Sequence, residues 1–508
     1  MNGTKHLRID ANDWLNFMSM FYKAISALIL LVIVGSSDQI YAQTILTSSP
    51  EKVGFNYSNF EVLGKNGQGI IVWLNGEKED VIESFYDNMQ LHWRKNLALP
   101  DEDFLVQKIF LNADTVMLFY TTQQKSVVVL KSILLSATLS ALGPGQIVDT
   151  LSTTTYSNAP ILKFYLRPEK DGVTIAEQSK NISEKKQITF LQLNRHLITQ
   201  VKQICIVTDF KQGRFIDLVC GWNQTIYVLS GDAQIKNTDN SFPFTAYEII
   251  RFDQAFKSDS LTFTSVQNPL SDSHIVFDKK NNLISVGGLS ATEPGNIATQ
   301  IFYWRMNADS FQTEEKKFIS ISDSLINKLK ESSSTKKTYG FENFVVTQIV
   351  PRADGGIILM CEVQTMFSES NNTPGFSNFG ISSSPLTITY YHFNEMALFS
   401  FNNKGETQWS EVIHKKQQTQ NDGGYFSSYS LLVCPDKLHI IYNDMMNGQM
   451  NVTDYSIEPV GQNLSSQLFN ADHLGLLIAP QLGKQISNNE LVIPSYRHNY
   501  LQFVKFTF

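Results

Sequence analysis

Two polar stretches of the sequence carry side chains that could bind a ligand. The first spans residues 415–429 and contains Lys415 and Tyr425, and the second is Tyr442-Asn443-Asp444. Ammonium, phenol, carboxamide and carboxylate groups together can both donate and accept hydrogen bonds. We therefore predict ligand contacts from Lys415, Tyr425, Tyr442, Asn443 and Asp444. The structural alternative is that the Asn and Asp side chains hydrogen-bond the backbone of turns.

A third stretch, residues 365–386, is rich in Ser, Asn and Gly and carries Phe376 and Phe379. It is predicted to be a polar loop inserted between strands. A long loop with aromatic side chains, held over one face of a rigid scaffold, can bind a glycan or a peptide. Phe376 and Phe379 are its candidate ligand contacts, and a poorly ordered excursion is the alternative.

Local motifs of common enzyme and metal centres are missing from the sequence. It contains no His-Glu-x-x-His, Gly-x-Ser-x-Gly, phosphate-binding Gly-Lys-Ser/Thr or Cys-x-x-Cys motif. The nine histidines are scattered singly, so the sequence predicts neither a metal site nor a cofactor. Carboxylates from distant parts of a chain can still meet in a folded glycosidase, so a carbohydrate-active enzyme stays open.

The composition favours a β-rich protein that does not bind nucleic acid. Aromatic residues make up 12% of the chain, and flat, stiff side chains pack well on pleated sheets. The net charge of −7 argues against a nucleic-acid surface, which needs clustered Lys and Arg. The four cysteines each lie in or beside an apolar run and are predicted to be buried thiols, although a Cys205–Cys220 disulfide stays open.

The N-terminal region predicts export. Residues 24–34 form an apolar run after Lys23. This run of about 11 residues is too short for a transmembrane helix, which needs about 20. Tyr41-Ala42-Gln43 then offers a small residue for signal peptidase, so residues 1–42 are predicted to be a cleaved signal peptide. The mature chain would lack a membrane span and lie in the periplasm, on the outer surface or outside the cell. An uncleaved anchor is the alternative.

A unit of four short strand-like runs joined by tight turns repeats along the chain. It is clearest at residues 344–444, where Asp354-Gly355-Gly356 and Asn402-Asn403-Lys404-Gly405 form the turns. Similar turns, among them those led by Asn194, Asp253 and Asn307, recur at steps of roughly 50 to 60 residues, except for the step of 95 from Asn307 to Asn402. Repeats of this kind are typical of propeller blades, in which each four-stranded sheet buries its faces on its neighbours.

We therefore predict an all-β fold with a single β-propeller domain of four-stranded blades at residues 43–508. Eight blades are favoured over seven. The N-terminal strand Thr44-Ile45-Leu46-Thr47 is predicted to complete the last blade and close the ring, which removes a free sheet edge. A surface helix is predicted at about residues 322–331. Trp93 and Trp409 follow corresponding turns and are predicted to dock one blade on the next.

Part of the chain resembles known propeller repeats. Residues 349–359 and Gly405-Glu406-Thr407-Gln408-Trp409 resemble the blades of quinoprotein-like propellers, in which a Trp docks between blades. Residues 416–429 with Ile441-Tyr442-Asn443-Asp444 are similar to uncharacterised secreted bacterial β-propeller-like proteins. The resemblance implies an architecture. It implies neither an activity nor a quinone cofactor, because Trp stands at the docking position in only two units.

These observations favour an exported, non-catalytic binding or scaffold module. Its expected partner is a protein or glycan of the envelope or the extracellular space. A propeller enzyme that acts on carbohydrate is one alternative. An outer-membrane β-barrel is another, because Phe503-Val504-Lys505-Phe506-Thr507-Phe508 resembles the aromatic-ended last strand of such barrels. Most of the other runs are shorter and less regularly alternating than a membrane strand.

Overall fold

Short antiparallel strands joined by tight turns make up most of the computed structural model. Within the described residues the fold is all-β, as predicted, and residues Leu46–Lys505 belong to one compact unit. The helices described are α1 (Asp323–Ser332), α2 (Ala471–Leu474) and a 3-10 turn at Pro480–Leu482. The structure describes residues 43–53, 57–76, 79–101, 103–112, 114–124, 127–151, 159–179, 187–233, 243–265, 268–271, 273–291, 297–332, 341–371, 375–377, 380–382, 386–446 and 448–508.

Eight sheets of four or five strands occur among the described residues, and they follow one another along the chain. Sheet 8 also includes the strands nearest the N-terminus. Sheet 1 contains β3 (Tyr57–Asn66), β4 (Gly69–Gly76), β5 (Asp80–Phe85) and β6 (Leu91–Asn96); sheet 2, β7 (Phe104–Asn112), β8 (Thr115–Gln124), β9 (Val127–Ser136) and β10 (Gln146–Leu151); sheet 3, β11 (Ile161–Leu166), β12 (Gly172–Gln178), β13 (Gln187–Asn194) and β14 (Thr199–Ile206); sheet 4, β15 (Gly213–Cys220), β16 (Ile226–Ala233), β17 (Phe244–Phe252) and β18 (Ser258–Thr264).

Sheets 5 to 7 follow further along the chain, and two separate pairs of very short strands also occur among the described residues. Sheet 5 contains β19 (His274–Asp278), β20 (Leu283–Ser290), β22 (Gln300–Asn307) and β23 (Thr313–Ser320); sheet 6, β25 (Phe344–Pro351), β26 (Ile357–Asn371), β29 (Leu386–Phe401), β30 (Thr407–Ile413) and β31 (Gln418–Gln420); sheet 7, β32 (Ser430–Val433), β33 (Leu438–Met446), β34 (Gln449–Ile457) and β35 (Asn463–Asn470); the short pairs are β21 (Ile297–Ala298) with β24 (Phe341–Glu342), and β27 (Gly375–Ser377) with β28 (Gly380–Ser382).

Sheet 8 combines strands from both ends of the described chain. Its order is β1-β38-β37-β36, and β2 also pairs with β38. Glu51 lies opposite Leu501 in this pairing, and the amide of Ser48 donates to the carbonyl of Phe503 at 2.9 Å. The strands are β1 (Thr44–Thr47), β2 (Glu51–Lys52), β36 (Lys484–Gln485), β37 (Glu490–Arg497) and β38 (Tyr500–Thr507).

Burial differs systematically between the strands of a sheet. All six residues of β5 and all eight of β20 are buried, whereas β6 is largely exposed. A strand that is apolar on both faces needs cover on both sides. Clusters of buried side chains supply that cover by joining sheets 1 and 2, 2 and 3, 3 and 4, 4 and 5, 5 and 6, 6 and 7, and 8 and 1.

Asn and Asp side chains build the turns that the sequence singled out. Oδ1 of Asn402 accepts from the amides of Lys404 at 2.9 Å and Glu406 at 3.0 Å, and Gly405 follows with φ +65°. Asn194 and Asp253 accept from the corresponding amides in their own turns. The side chain supplies an acceptor to the backbone of its own turn, which explains why Asn or Asp stands at the start of each of these turns.

The structure differs from the sequence-based expectation at residues 365–386. Strands β26 and β29 extend into this stretch and pair as far as Asn371 and Leu386, so strand replaces much of the predicted loop. The predicted helix lies at Asp323–Ser332 and buries Leu325 and Leu329.

Two further expectations concern the thiols and the membrane. Cys205 and Cys220, for which a disulfide had stayed open, are both buried free thiols. In the part of the chain that the structure describes, no helix has the length and apolar character needed to cross a bilayer.

Candidate ligand-binding site

The long hairpin of sheet 6 carries a small three-stranded extension. Beyond the part of β26 and β29 that packs in the sheet, Thr365 lies opposite His392 and Phe367 opposite Tyr390. Strand β31 then adds to β29, with Gln418 opposite His392 and Gln420 opposite Tyr390. Because side chains alternate between the two faces of a strand, Phe367, Tyr390, His392, Gln418 and Gln420 share one face. We call this surface the aromatic-amide face.

Aromatic rings stack along this face. The rings of Phe367 and Tyr390 lie 5.1 Å apart at an interplanar angle of 20°, and the ring of His392 lies 5.1 Å from Phe367. Phe367 is 41% exposed although it is a large apolar side chain. An exposed stack of rings in fixed register provides a flat apolar surface for a ligand.

A cleft of about 510 Å³ opens beside the aromatic-amide face. Its lining combines one ring, three side chains with amide or hydroxyl groups, one ammonium group and one thioether. The residues are Tyr390, Lys416, Gln418, Thr419, Gln420 and Met445. Apolar surface with a few convergent polar groups is the usual character of a small-molecule site.

A buried ion pair lies beneath this extension. Nζ of Lys415 is 2.6 Å from Oε1 of Glu362, and neither side chain has exposed surface. The same ammonium donates to the carbonyl of Phe393 at 3.0 Å and to Oε1 of Gln417 at 2.8 Å. Burial lowers the pKa of Lys415, and the Glu362 carboxylate opposes this shift. Lys415 therefore fixes the neighbouring strands and has no surface with which to contact a ligand.

The amide of Gln417 extends the buried network toward sheet 7. Its Nε2 donates to the carbonyls of Ser428 at 3.0 Å and Asn443 at 2.8 Å. Nδ2 of Asn443 donates to the carbonyls of Phe426 at 2.8 Å and Ile478 at 2.7 Å. These bonds use Nδ2 and the backbone carbonyl of Asn443 to hold neighbouring segments, and only 2% of this residue is exposed.

The other predicted contacts differ in exposure. Tyr442 is buried between sheets 6 and 7, and burial raises its pKa above the ordinary range. Burial also raises the pKa of the half-buried Asp444. Tyr425 is 38% exposed on the loop that follows β31. Phe376 lies in β27, and Phe379 lies outside the described residues.

The loop that follows β31 is held by its own turn. Oδ1 of Asp422 accepts from the hydroxyl of Thr419 at 2.9 Å and from the amide of Gly424 at 3.0 Å. Gly423 and Gly424 have φ values of +67° and +78°, which suit glycine. Turn chemistry, the structural alternative for this stretch, accounts for Asp422 and both glycines.

Trp93 and Trp409 lie between successive sheets. Nε1 of Trp409 in β30 donates to the carbonyl of Pro459, beyond β34 of sheet 7, at 2.9 Å. Trp93 in β6 packs against the cluster that joins sheets 1 and 2. Both side chains are half-buried.

Sequence analysis missed most of the aromatic-amide face and the partner of Lys415. Phe367, Tyr390, Gln418, Gln420 and Glu362 were not among the candidates. One signal was available, because Leu386-Thr387-Ile388-Thr389-Tyr390-Tyr391-His392-Phe393 is rich in β-branched and aromatic residues, which favour strand. The pairing of Glu362 with Lys415 depends on tertiary structure and left no local pattern.

Comparison with known proteins identifies no family for this chain. No family model matches it, and no curated protein matches it. Among solved structures, a prolyl endopeptidase aligns with 82% of this chain at TM-score 0.34 and 11% identity, and the chain spans 55% of that protein. The polysaccharide lyase Uly1 aligns with 91% of this chain and 99% of its own at TM-score 0.38 and 9% identity. The Nup133 β-propeller domain of Vanderwaltozyma polyspora aligns with 78% of this chain and 100% of its own at TM-score 0.36 and 9% identity. No activity or partner follows from these likenesses.

Proposed function

We propose that this chain is an exported, non-catalytic β-propeller that binds a glycan in the cleft beside the aromatic-amide face. The observation that carries the proposal is the arrangement of Tyr390, Gln418 and Gln420 around one cleft. The C–H face of a sugar ring packs on an aromatic ring, and carboxamides can both donate to and accept from sugar hydroxyls.

The support beneath the cleft is rigid. The Lys415–Glu362 pair and the amide of Gln417 fix the strands and the loop from which the lining side chains project. A site held in this way loses little conformational entropy when a ligand binds. Preorganisation thus favours affinity even though the ligand contacts themselves are few.

The cleft favours binding over glycoside hydrolysis. Most glycosidases use two carboxyl groups that flank the scissile bond. The described residues that line the cleft include no Asp or Glu. Lys416 is the charged residue there, and it is better suited to hold a ligand than to protonate a leaving group.

We also propose that the eight sheets are the blades of a ring that the N-terminal strands close. Contacts between the first strands of successive sheets support this arrangement. Nδ1 of His274 in β19 lies 3.1 Å from Asp217 of β15, and its Nε2 lies 3.1 Å from the carbonyl of Val346 in β25. The hydroxyl of Thr347 lies 2.6 Å from that of Tyr429, which precedes β32. Gln485 of β36 hydrogen-bonds both backbone groups of Val433 in β32.

The remaining step of the ring joins sheet 8 to sheet 1. Val492, Leu501 and Phe503 of sheet 8 share one buried cluster with the strands of sheet 1. Each sheet would then bury its faces on two neighbours, which is the way that propellers stabilise four-stranded sheets. Export is proposed from the N-terminal apolar run, and its test is the N-terminal residue of the cell-processed protein, which we expect to be Gln43.

Glycan binding is tested with the chain from residue 43 against a panel of soluble polysaccharides by isothermal titration calorimetry. We expect Tyr390→Ala to weaken binding about tenfold or more, because the stacking surface is lost. Tyr86→Ala is the matched control, since Tyr86 is also exposed and stacks on an imidazole, that of His92, on another sheet. Equal affinities for wild type and Tyr390→Ala would contradict the site. Cleavage of the bound glycan would contradict the non-catalytic function.

A further inference from the structure

A second cleft, of about 570 Å³, opens on the face of sheet 2 that packs toward sheet 1. The segment between β6 and β7, the strands β8 and β9, and the loop between β9 and β10 all contribute to its lining. Its walls include the apolar side chains of Leu99, Pro100, Ile133 and Pro144. The volume is in the ordinary range of small-molecule sites.

Three polar side chains of this cleft form one hydrogen-bonded network. Tyr120 of β8 lies directly opposite Lys131 of β9, so the two side chains are on the same face of the sheet. Asp101 precedes β7 and joins them. Its Oδ1 accepts from Nζ of Lys131 at 2.7 Å, and its Oδ2 accepts from the hydroxyl of Tyr120 at 2.9 Å. The carboxylate is therefore held at both of its oxygens.

Asp101 and Lys131 retain hydrogen-bonding capacity toward the cleft. Their side chains are 19% and 14% exposed, whereas Tyr120 is fully buried. Among the described residues Asp101 is the hydrogen-bond partner of the Lys131 ammonium, which leaves two of its three N–H donors for a ligand. The carboxylate oxygens can each accept a further hydrogen bond. Burial and the hydrogen bond to Asp101 raise the pKa of Tyr120, so its hydroxyl stays protonated and positions the carboxylate.

The two charges in the cleft cancel each other. Lys131 is positive and Asp101 is negative, and the described residues that line the cleft include no other charged side chain. An ionic ligand would add a charge without a counter-charge, which is costly where water is partly excluded. A neutral ligand with hydroxyl groups adds hydrogen bonds and leaves the ion pair intact.

We infer that this cleft binds one neutral sugar ring, with two adjacent ring hydroxyls on Lys131 and Asp101. One hydroxyl accepts from the ammonium while its neighbour donates to the carboxylate. The apolar walls then cover the C–H surface of the ring. None of the lining residues belongs to sheet 6 or sheet 7, so this site requires neither the proposed glycan site nor closure of the ring of sheets.

The test uses the chain from residue 43 with the δ1 methyl groups of its isoleucines ¹³C-labelled, observed by NMR. The signal of Ile133 is identified by its loss in Ile133→Val. Methyl α-D-mannopyranoside and methyl β-D-glucopyranoside are titrated separately. We expect the Ile133 signal to shift saturably in the millimolar range with at least one of the two glycosides. Asp101→Asn should weaken this binding about tenfold or more, whereas Tyr390→Ala should leave it unchanged.

Glu61→Gln is the matched control, because Glu61 forms a similar ion pair, 2.6 Å from Nζ of Lys108, outside the lining of the cleft. It should bind the glycosides as wild type does. Gly143→Leu tests the cleft with its polar groups intact, and it decides the matter if Asp101→Asn does not fold. An added Cβ on Gly143 meets no atom within 4 Å, so this variant should keep the thermal midpoint while its side chain blocks the ring.

Three results would overturn the site. The first is the absence of a saturable shift with both glycosides, and the second is equal affinity for wild type and either cleft variant. The third is saturation by tetrahydropyran-2-methanol as tight as that by the glycosides, because this compound lacks the ring hydroxyls that Lys131 and Asp101 are inferred to bind.

Discussion

The ammonium group of Lys415 has no contact with solvent and depends on Glu362 for its counter-charge. We predict that Glu362→Gln destabilises the protein by about 3–5 kcal/mol, because it leaves a buried charge unpaired. The double variant Glu362→Gln, Lys415→Met should recover part of this loss. The free energy of unfolding, measured by urea denaturation, checks both. Glu458→Gln is the control, since its partner Lys437 lies 3.4 Å away in an exposed pair and such pairs contribute less than about 1 kcal/mol.

Two other buried glutamates give stability a distinctive dependence on pH. Burial and the nearby Glu51 carboxylate raise the pKa of Glu83 to about 7. Burial and the nearby Asp149 carboxylate raise the pKa of Glu177 to about 8. The folded protein therefore binds these protons more tightly than the unfolded chain, in which the ordinary pKa is 4.5. Stability should fall as pH rises from 4.5 through 7 to 8.

Thermal midpoints measured between pH 5 and pH 9 check this direction. We expect wild type to be more stable near pH 5.5 than near pH 8.5, and the double variant Glu83→Gln, Glu177→Gln to show a flatter profile. Asp354 and Glu490 have lowered pKa values, so the stability that these two groups contribute changes only at more acidic pH. It therefore does not mask the fall in stability that Glu83 and Glu177 cause. A wild-type midpoint that rises steadily across this range would contradict the proposed protonation.

Docking between sheets can be tested at the turn that receives Trp409. Gly461 has φ +88°, and a Cβ there would lie 2.7 Å from Cγ of Trp409. We predict that Gly461→Ala is markedly destabilising, because it adds a steric clash to the cost of a left-handed backbone. Gly448→Ala is the matched control, since Gly448 has φ +77° with no atom near the added Cβ. It should lose only about 1 kcal/mol, and equal losses in urea denaturation would argue against docking by Trp409.

Strands and turns differ in how well the sequence predicts them. Turns led by Asn194, Asp253 and Asn402 were predictable, because each side chain makes its turn through local hydrogen bonds. A continuous apolar run such as residues 70–74 was predictable as part of a buried strand. The extended hairpin was missed because the polar composition of residues 365–386 suggested a loop, while cross-strand pairs such as Ser368 with Thr389 form only once the strands meet. The burial of Lys415 was missed for the same physical reason, since its partner comes from another strand.

At the scale of the whole molecule, closure of the ring is open to a direct test. In the proposed ring, the N-terminal strands cover the edge of β38. Ser48 contributes most clearly, because its amide donates to the carbonyl of Phe503 and its hydroxyl accepts from the amide of Phe503, both at 2.9 Å. Glu51 also forms an ion pair with Arg94 of sheet 1, and this pair connects sheet 8 to its neighbour.

We predict that a chain beginning at Val53 unfolds at a clearly lower temperature than one beginning at Gln43, and that it associates. Removal of residues 43–52 exposes a row of unpaired backbone groups on β38, and a free edge of this kind pairs with other chains. Calorimetry and light scattering measure the two effects. Ser48→Ala in the chain that begins at Gln43 should have an intermediate thermal midpoint. It loses one hydrogen bond, worth about 1 kcal/mol, and keeps the edge of β38 covered. If the shortened chain remains monomeric with an unchanged midpoint, the strands from the N-terminus do not close the ring, and the eight sheets must be stabilised without them.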